Sequence, residues 1–254
     1  MKKWWVLFFA LSMLSKGMSQ ASVLLPAADY PGFFGLAGAT LPEGLPTFDN
    51  SPAKRTNTLS LGLLWGIPAA GVDLQSYSLI AEWGNSWYRM GSLFSMVAMD
   101  SVYRSSAGDL ELAFTFQRYT VGVGHSVNVE WVPGTGSWWT QQTKVGLVVE
   151  VPRGFSLSGL LLFPYESEFN YLGGVHWKAS ESYRLFVEVG PKHFHIGHTV
   201  NFEYLRIQSA YAFPGPRVGI GLAIQIDQFF SGFGYQKISD AFDAKGASLV
   251  WRKK

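Results

Sequence analysis

The chain has 254 residues, no cysteine, and a formal net charge of +2 from 20 basic and 18 acidic side chains. The lack of cysteine excludes disulfides, thiolate metal sites, cysteine catalysis and a lipid-modified cysteine, and the weak, balanced charge argues against a nucleic-acid partner. Charged residues make up 15 % of the chain and aromatic residues 16 %, which suits a membrane β-barrel or a Trp-rich soluble β module.

Residues 1–20 are predicted to be a secretory signal peptide. Lys2 and Lys3 provide the positive region, residues 4–14 form an apolar core too short to span a bilayer, and a small and polar segment follows up to Ala21. The alternative is an uncleaved N-terminal anchor. Beyond this segment no run of about 18 apolar residues occurs, so a helical inner-membrane protein is not expected. We therefore expect an exported protein of a bacterial envelope.

Residues 21–55 form an irregular lead-in. They contain five prolines and several glycines and show no sustained alternation of apolar and polar residues. Tyr30, Phe33, Phe34 and Phe48 are poor residues to leave in water, so we expect packing against one end of the fold or inside it as a plug. The alternative is a disordered tail.

Residues 56–254 alternate apolar and polar side chains in short stretches, most clearly over residues 110–117, 145–151 and 218–227. Neighbouring side chains of a strand point to opposite faces, so each stretch has one apolar face and one small or polar face. A closed sheet with its apolar face outward is one of two ways to cross a bilayer. The sequence predicts an all-β fold, an antiparallel up-and-down transmembrane β-barrel of about 12–14 strands. The predicted strands are 58–67, 73–83, 87–103, 109–119, 121–132, 140–151, 155–165, 170–178, 183–189, 195–205 with a continuation towards 213, 217–227, 229–238 and 247–251.

An internal repeat is suggested by matches at one constant offset. Residues 124–131 match residues 197–204 position by position in residue type, and residues 144–147 match 217–220. Duplicated hairpins are a natural way to build a barrel, although strand sequences also resemble one another without common origin. The period contains five predicted strands, and an odd number would invert alternate copies, so one segment in it is expected to be miscounted.

The polar faces of these strands are expected to line a lumen, where charges of both signs can pair across neighbouring strands. The lining could belong to an open passage or to a filled interior without transport. The predicted lumen-lining residues are Glu111, Thr115, Gln117, Ser126, Asn128, Glu130, Lys144, Glu150, Glu188, Asn201 and Glu203.

Seven tryptophans fall near predicted strand ends, where a membrane barrel carries girdles of aromatic residues. In a soluble module some of them would instead be platforms for sugars. The predicted girdle residues are Trp83, Trp87, Trp131, Trp138, Trp139, Trp177 and Trp251.

Histidines give the strongest hints of chemistry. On a strand, His193 and His195 share a face and could hold a metal between them, whereas His198 lies on the other face; we expect a hydrated turn rather than a metal site. His125 cannot activate its neighbour Ser126, because adjacent strand residues face opposite ways. We therefore predict no catalytic residues, no metal and no cofactor.

The N-terminal segments 34–39 (Phe-Gly-Leu-Ala-Gly-Ala) and 48–53 (Phe-Asp-Asn-Ser-Pro-Ala) resemble the start of FadL-like barrels, the group of long-chain fatty-acid transporters and PorV-type secretion proteins. Those proteins typically carry a Gly-x-Gly/Ala-Gly-Ala stretch and then Asn-Pro-Ala before the first strand. Here Ser51 separates Asn50 from Pro52, and no glycine follows Ala53. The resemblance implies a 14-stranded barrel, an N-terminal plug and either passage of apolar ligands or a role in secretion.

The sequence thus predicts a non-enzymatic bacterial outer-membrane protein. Its expected work is passive passage of small, mainly hydrophobic molecules, or an accessory role in envelope assembly or secretion. Its expected partners are membrane lipid and either a small apolar ligand or proteins of a secretion machinery. The alternatives are an outer-membrane lipid hydrolase and a soluble exported β-sandwich that binds polysaccharide.

Overall fold

The computed structural model describes residues 51–53, 56, 58–67, 74–99, 102–165, 168–191, 193–213, 217–237 and 243–253. In this part of the chain, antiparallel strands form one closed barrel in which each strand pairs with its sequence neighbours and β1 pairs with β14. The strands are β1 (Leu59–Ile67), β2 (Gln75–Gly84), β3 (Tyr88–Met99), β4 (Tyr103–Phe116), β5 (Tyr119–Val132), β6 (Gly136–Val151), β7 (Phe155–Pro164), β8 (Asn170–Lys178), β9 (Tyr183–Gly190), β10 (His193–Asn201), β11 (Leu205–Phe213), β12 (Arg217–Ile226), β13 (Phe229–Lys237) and β14 (Asp243–Lys253).

The closed barrel confirms the predicted fold class, at the upper limit of the predicted strand number, and rules out two stacked sheets. None of the described residues belongs to a helix long and apolar enough to cross a membrane. The predicted signal peptide and the lead-in up to residue 50 lie outside the described residues.

One predicted strand is two strands. The segment from residue 195 towards 213 breaks into β10 and β11, and the backbone N–H of Phe202 donates to the carbonyl of Leu205 at 2.7 Å to close the turn. The turn contains Phe202, Glu203 and Tyr204, none of which is a typical turn former, so the sequence alone does not signal it.

The missed turn explains the difficulty with the internal repeat. The offset that aligns β5 with β10 spans five strands, whereas the same offset aligns the end of β6 with β12, which is six strands on. β5 and β10 therefore run in opposite directions through the barrel. The two matches therefore do not belong to one unit with a constant number of strands, and the internal repeat stays a prediction.

The barrel has two ends that differ in what they carry. Leu59 of β1 pairs with Lys253 of β14 and with Trp83 of β2. The first strand therefore starts and the last strand ends at the same end of the barrel, here called the terminus end. The other end is called the opposite end. β9 spans 8 residues and β6 spans 16, so the wall is much taller on the β4–β6 side.

Alternation along each strand sets the two faces of the wall. In β1, Leu61 and Leu63 are 48 % and 58 % exposed, whereas Ser60 and Leu64, which flank this stretch, are 0 % and 4 % exposed. The same pattern recurs around the barrel and leaves rows of Leu, Val, Ile, Phe and Trp on the outside. An apolar outer face of this extent fits a wall surrounded by lipid hydrocarbon.

The inner face is divided into zones. An apolar cluster lines the wall formed by β1–β4 and β12–β14, and a second one lies on β7 and β8. Buried charges concentrate on β2–β6. The members of the larger apolar cluster are Leu64, Ile80, Leu93, Ala107, Ala223, Ala244 and Val250, with Phe230 packed against them.

Candidate functional site

A cluster of buried charges crosses five strands inside the barrel; it is called the ion-pair cluster and consists of Glu82, Arg89, Asp109, Glu111 and Lys144. Lys144 Nζ lies 2.7 Å from Asp109 Oδ2 and 2.8 Å from Glu111 Oε1. Arg89 Nη1 lies 2.9 Å from the other oxygen of Glu111, and Arg89 Nη2 lies 3.5 Å from Glu82. The chain of contacts places each cation between two carboxylates.

The residues of this cluster depend on one another because they are buried. The side chains of Lys144, Asp109 and Glu111 are completely buried, and a buried charge is tolerated only when partners replace its hydration. Ser126 Oγ donates to the second oxygen of Asp109 at 2.9 Å, which occupies a further acceptor. The cluster therefore joins the wall from β2 to β6 from the inside.

The end of the lead-in lies within the lumen beside this cluster. Ser51 and Ala53 are fully buried, and the Pro52 carbonyl lies 3.5 Å from Arg89 Nη1. The segment fits because β5 and β6 present Gly122 and Gly146 there. A Cβ on Gly122 would overlap the Pro52 carbonyl, and a Cβ on Gly146 would overlap Ser51 Oγ.

Of the predicted lumen-lining residues, Asn128 and Glu130 form a second polar group closer to the opposite end. Ser105 Oγ donates to Asn128 Oδ1 at 2.7 Å, and Asn128 Nδ2 donates to Glu130 Oε1 at 2.8 Å. Glu130 is 3 % exposed. These contacts link β4 to β5 on the inner face.

Glu188 belongs to a third group, on β7–β10. Its Oε2 lies 3.3 Å from His195 Nδ1, and both side chains are buried. Ser158 Oγ lies 2.7 Å from His176 Nε2. The ring of Phe186 contacts His195 edge to face at 5.3 Å between centroids. Phe186 occupies space that a Cβ on Gly197 would fill.

The histidines noted in the sequence fall on both faces of the wall. His195 faces inward, whereas His198 lies on the outward face near Ser209. The side chain of His193 lies outside the described set. Within the described residues, no group of three His, Cys, Asp or Glu side chains is arranged to hold a metal ion.

His125 and Ser126 face opposite sides of β5. His125 Nδ1 lies 3.2 Å from Thr143 Oγ1 on the outer wall, while Ser126 is bonded to Asp109 inside. The wall itself separates the two groups, so they cannot act together as base and nucleophile.

The remaining predicted lumen residues lie at the terminus end. Thr115 contacts Thr120 across β4 and β5 at 3.2 Å between hydroxyl oxygens, and Asn201 ends β10. Gln117 lies in the β4–β5 turn with a positive φ of 52° and is exposed. Glu150 is an exposed residue next to the end of β6, and Glu203 is exposed in the β10–β11 turn. Gln117 and Glu203 thus lie outside the strands.

The tryptophans are distributed over both ends. Trp83, Trp87, Trp177 and Trp251 lie at the terminus end, and Trp131 and Trp139 lie at the opposite end. Trp138 differs, because it pairs with the inward-facing Glu130 and shares the inner face of β6 with Lys144. The inner position of Trp138 does not suit a lipid-facing girdle.

Several charged or polar inner residues are absent from the predicted set. They are Glu82, Arg89, Asp109, His176, His195 and Gln208, all of which are buried. Asp109 could have been found from its position two residues before Glu111, which puts both on one face. Arg89 lies in the long segment 87–103, whose imperfect alternation hides its face. Trp65 is a further outward-facing tryptophan outside the predicted girdle.

No protein-family model and no curated protein sequence matches the chain. Among solved structures, the toluene transporter TodX of Pseudomonas putida aligns with a TM-score of 0.67 and 8 % identity, over 91 % of this chain and 96 % of that chain. The fold is that of an outer-membrane β-barrel. The monoaromatic hydrocarbon channel CymD aligns with a TM-score of 0.64 and 11 % identity, over 89 % of this chain and 97 % of that one. At these identities the likeness concerns the fold alone.

Proposed function

We propose that this chain is a bacterial outer-membrane channel through which small, mainly hydrophobic molecules pass along the lumen without chemical change. The observation that carries the proposal is the closed barrel with a lipid-compatible outer face and an inner face of mixed polarity. A closed barrel has no free strand edge, so its inner space is the route that a solute can follow across the membrane.

The hydrophobic class of solute is supported by the inner apolar cluster. Its side chains give part of the lumen wall an apolar surface next to the ion-pair cluster, because Leu93 of β3 pairs with Asp109 of β4. An apolar molecule in the lumen could contact this surface without displacing the buried ion pairs. The names of the two similar structures, a toluene transporter and a monoaromatic hydrocarbon channel, agree with this class of solute.

We further assign the lead-in the role of a plug and place the chain with the FadL-like barrels. The support is the position of Ser51–Ala53, which fill the hollow beside Gly122 and Gly146 and are held near Arg89. A plug in this position would narrow the route beside the ion-pair cluster.

The test compares outer-membrane permeability in cells that produce the chain and in cells that do not. Uptake of 1-N-phenylnaphthylamine, a small uncharged aromatic whose fluorescence rises in lipid, should be faster when the barrel is present. Detergent extraction and a gel mobility that changes on heating would confirm that the barrel is assembled. Equal uptake rates with an assembled barrel would contradict passage and favour the accessory role in envelope assembly or secretion.

A further inference from the structure

Three arginines line the inner edge of the barrel at the terminus end. Arg184 is the second residue of β9, Arg206 is the second residue of β11, and Arg252 is the second-last residue of β14. All three face inward, because each lies an even number of residues from the buried inward residues of its strand. They are partly buried and lie at the same depth from the edge. Together they are called the arginine rim.

Two of these arginines are held in place by neutral oxygens of neighbouring strands. Arg206 Nε donates to Asn201 Oδ1 at 2.7 Å, and Arg252 Nε donates to Ser60 Oγ at 3.2 Å. The guanidinium of Arg252 also lies over the ring of Phe230, 5.3 Å from its centroid. These contacts fix the direction of the guanidinium groups.

The described charged residues on the inner edge at this end are mainly basic. The inward-facing charged residues within two positions of the described strand ends are Glu82, Arg89, Glu150, Lys178, Arg184, Arg206 and Arg252. Arg89 is paired with Glu82 and Glu111. Lys178 is paired with Glu181 in the adjoining turn at 2.7 Å, and Arg184 also interacts electrostatically with Glu181. Glu203 and Asp227 are exposed in turns outside the strands. The β9–β14 side of the mouth therefore carries an excess of positive charge.

The opposite end has a different inner edge. Its inward-facing described residues include Val97, Tyr103, Ala212 and Ala244, which are uncharged, and the two acidic residues Glu130 and Glu188. The described inward charges are thus mainly cationic at the terminus end and acidic towards the opposite end. Rings of Arg and Lys in pores favour anions because they replace part of the anion's hydration and lower its electrostatic barrier.

We propose that the arginine rim is an anion-selecting site, and that the channel admits small solutes bearing a carboxylate or phosphate group in preference to cations of similar size. The inference rests on the proposed passage function and adds a charge preference to it. Guanidinium groups bind carboxylate and phosphate oxygens through paired hydrogen bonds, so both classes of anion suit the rim.

The experiment measures ion selectivity of the purified full chain in planar bilayers of zwitterionic lipid under a potassium chloride gradient. The reversal potential should show that chloride passes more readily than potassium. Replacing the rim in the triple variant R184Q/R206Q/R252Q should lower the chloride-to-potassium permeability ratio about eightfold, if each partly exposed charge contributes about a factor of two. Acetate and phosphate, tested in place of chloride, should lose permeability in the same variant.

A matched control removes three cations from elsewhere. Arg104, Lys237 and Lys245 lie on the outward face towards the opposite end, so R104Q/K237Q/K245Q changes the net charge equally without touching the rim. This control should keep the selectivity of the unaltered chain. Gel mobility before and after heating verifies that both triple variants form barrels.

The outcomes separate the two levels of the proposal. Currents that are cation-selective, or a ratio that the rim variant and the control change equally, would overturn the arginine rim while leaving passage intact. Absence of current from an assembled barrel, together with unchanged dye uptake by cells, would overturn passage and the rim with it. Adding phosphatidylglycerol tests a lipid source of phosphate: selectivity lost on its addition would mean that the rim binds headgroups, which also overturns the inference.

Discussion

Lys144 Nζ lies 2.8 Å from Glu111 Oε1 at a point inside the barrel where neither side chain is exposed. The two residues come from β6 and β4, and glycine at position 124 of the intervening strand leaves the space between them: a Cβ there would lie 2.8 Å from the Lys144 side chain. The Lys144–Glu111 pair thus depends on the absence of a Cβ at Gly124 of β5. The residue type at one position of the wall thus determines whether the ion pair can form inside the barrel.

The first prediction concerns this buried lysine. Replacing Lys144 by Met leaves Asp109 and Glu111 close together without their shared cation, and breaking a buried pair from one side costs about 3–5 kcal/mol. The free energy of unfolding in lipid vesicles, measured by urea titration with tryptophan fluorescence, should fall by that amount.

The control for the lysine variant is K245M, because Lys245 is exposed on the outward face near the opposite end. Its effect should stay within about 0.5 kcal/mol, as is usual for exposed positions. A second variant, D109N/E111Q/K144M, removes the carboxylate charges as well and should recover part of the lost stability. Equal stability of K144M and the unaltered chain would show that the cluster does not hold the strands together.

The fold was predictable because a lipid-facing barrel must alternate side chains along every strand, and this alternation is visible without coordinates. Val218–Asp227 shows it clearly, and β12 covers that segment almost to the residue. Each strand pairs with its sequence neighbours, so the order of strands in the sheet follows from their order in the chain. Local pattern and global topology coincide in this class of fold.

Two features could not be predicted for different physical reasons. The β10–β11 turn at Phe202–Tyr204 has residue types that equally suit a strand; the corresponding Val129–Trp131 continues β5. The position of the turn therefore depends on the length of β10, which the residue types do not determine.

The ion-pair cluster depends on the register between strands, because Glu111, Gly124 and Lys144 are direct neighbours across three strands. Alternation in the sequence predicts which face each side chain lies on, but it does not predict which residues of neighbouring strands lie next to each other.

The second prediction concerns the fit of the lead-in against β5. Gly122→Val places side-chain atoms where the Pro52 carbonyl lies, so Ser51–Ala53 should leave the hollow. The chain has no cysteine, which makes S51C the sole thiol. A maleimide added to vesicles should label S51C slowly in the unaltered barrel, where Ser51 is fully buried, and several-fold faster in S51C/G122V.

The matched control for this displacement is Gly159→Val. Gly159 faces outward on β7, and a Cβ there meets nothing within 4 Å. S51C/G159V should therefore be labelled as slowly as S51C alone. Rapid labelling of S51C in the barrel without any glycine change would show that the segment does not stay in the lumen, and the proposed plug would lose its support.

The third prediction concerns the depth of the lipid-facing wall. Leu222 and Ile226 share the outward face of β12, with Leu222 in the middle of the strand and Ile226 at its terminus end. An arginine facing lipid costs about 2–4 kcal/mol at the bilayer midplane and about 0–1 kcal/mol near the interface. L222R should therefore destabilise the barrel in vesicles by several times as much as I226R, measured by urea titration. Because the two positions have the same chemistry and lie on one strand, equal losses would mean that the outer face does not sit across the hydrocarbon, and a barrel that spans the membrane would be contradicted.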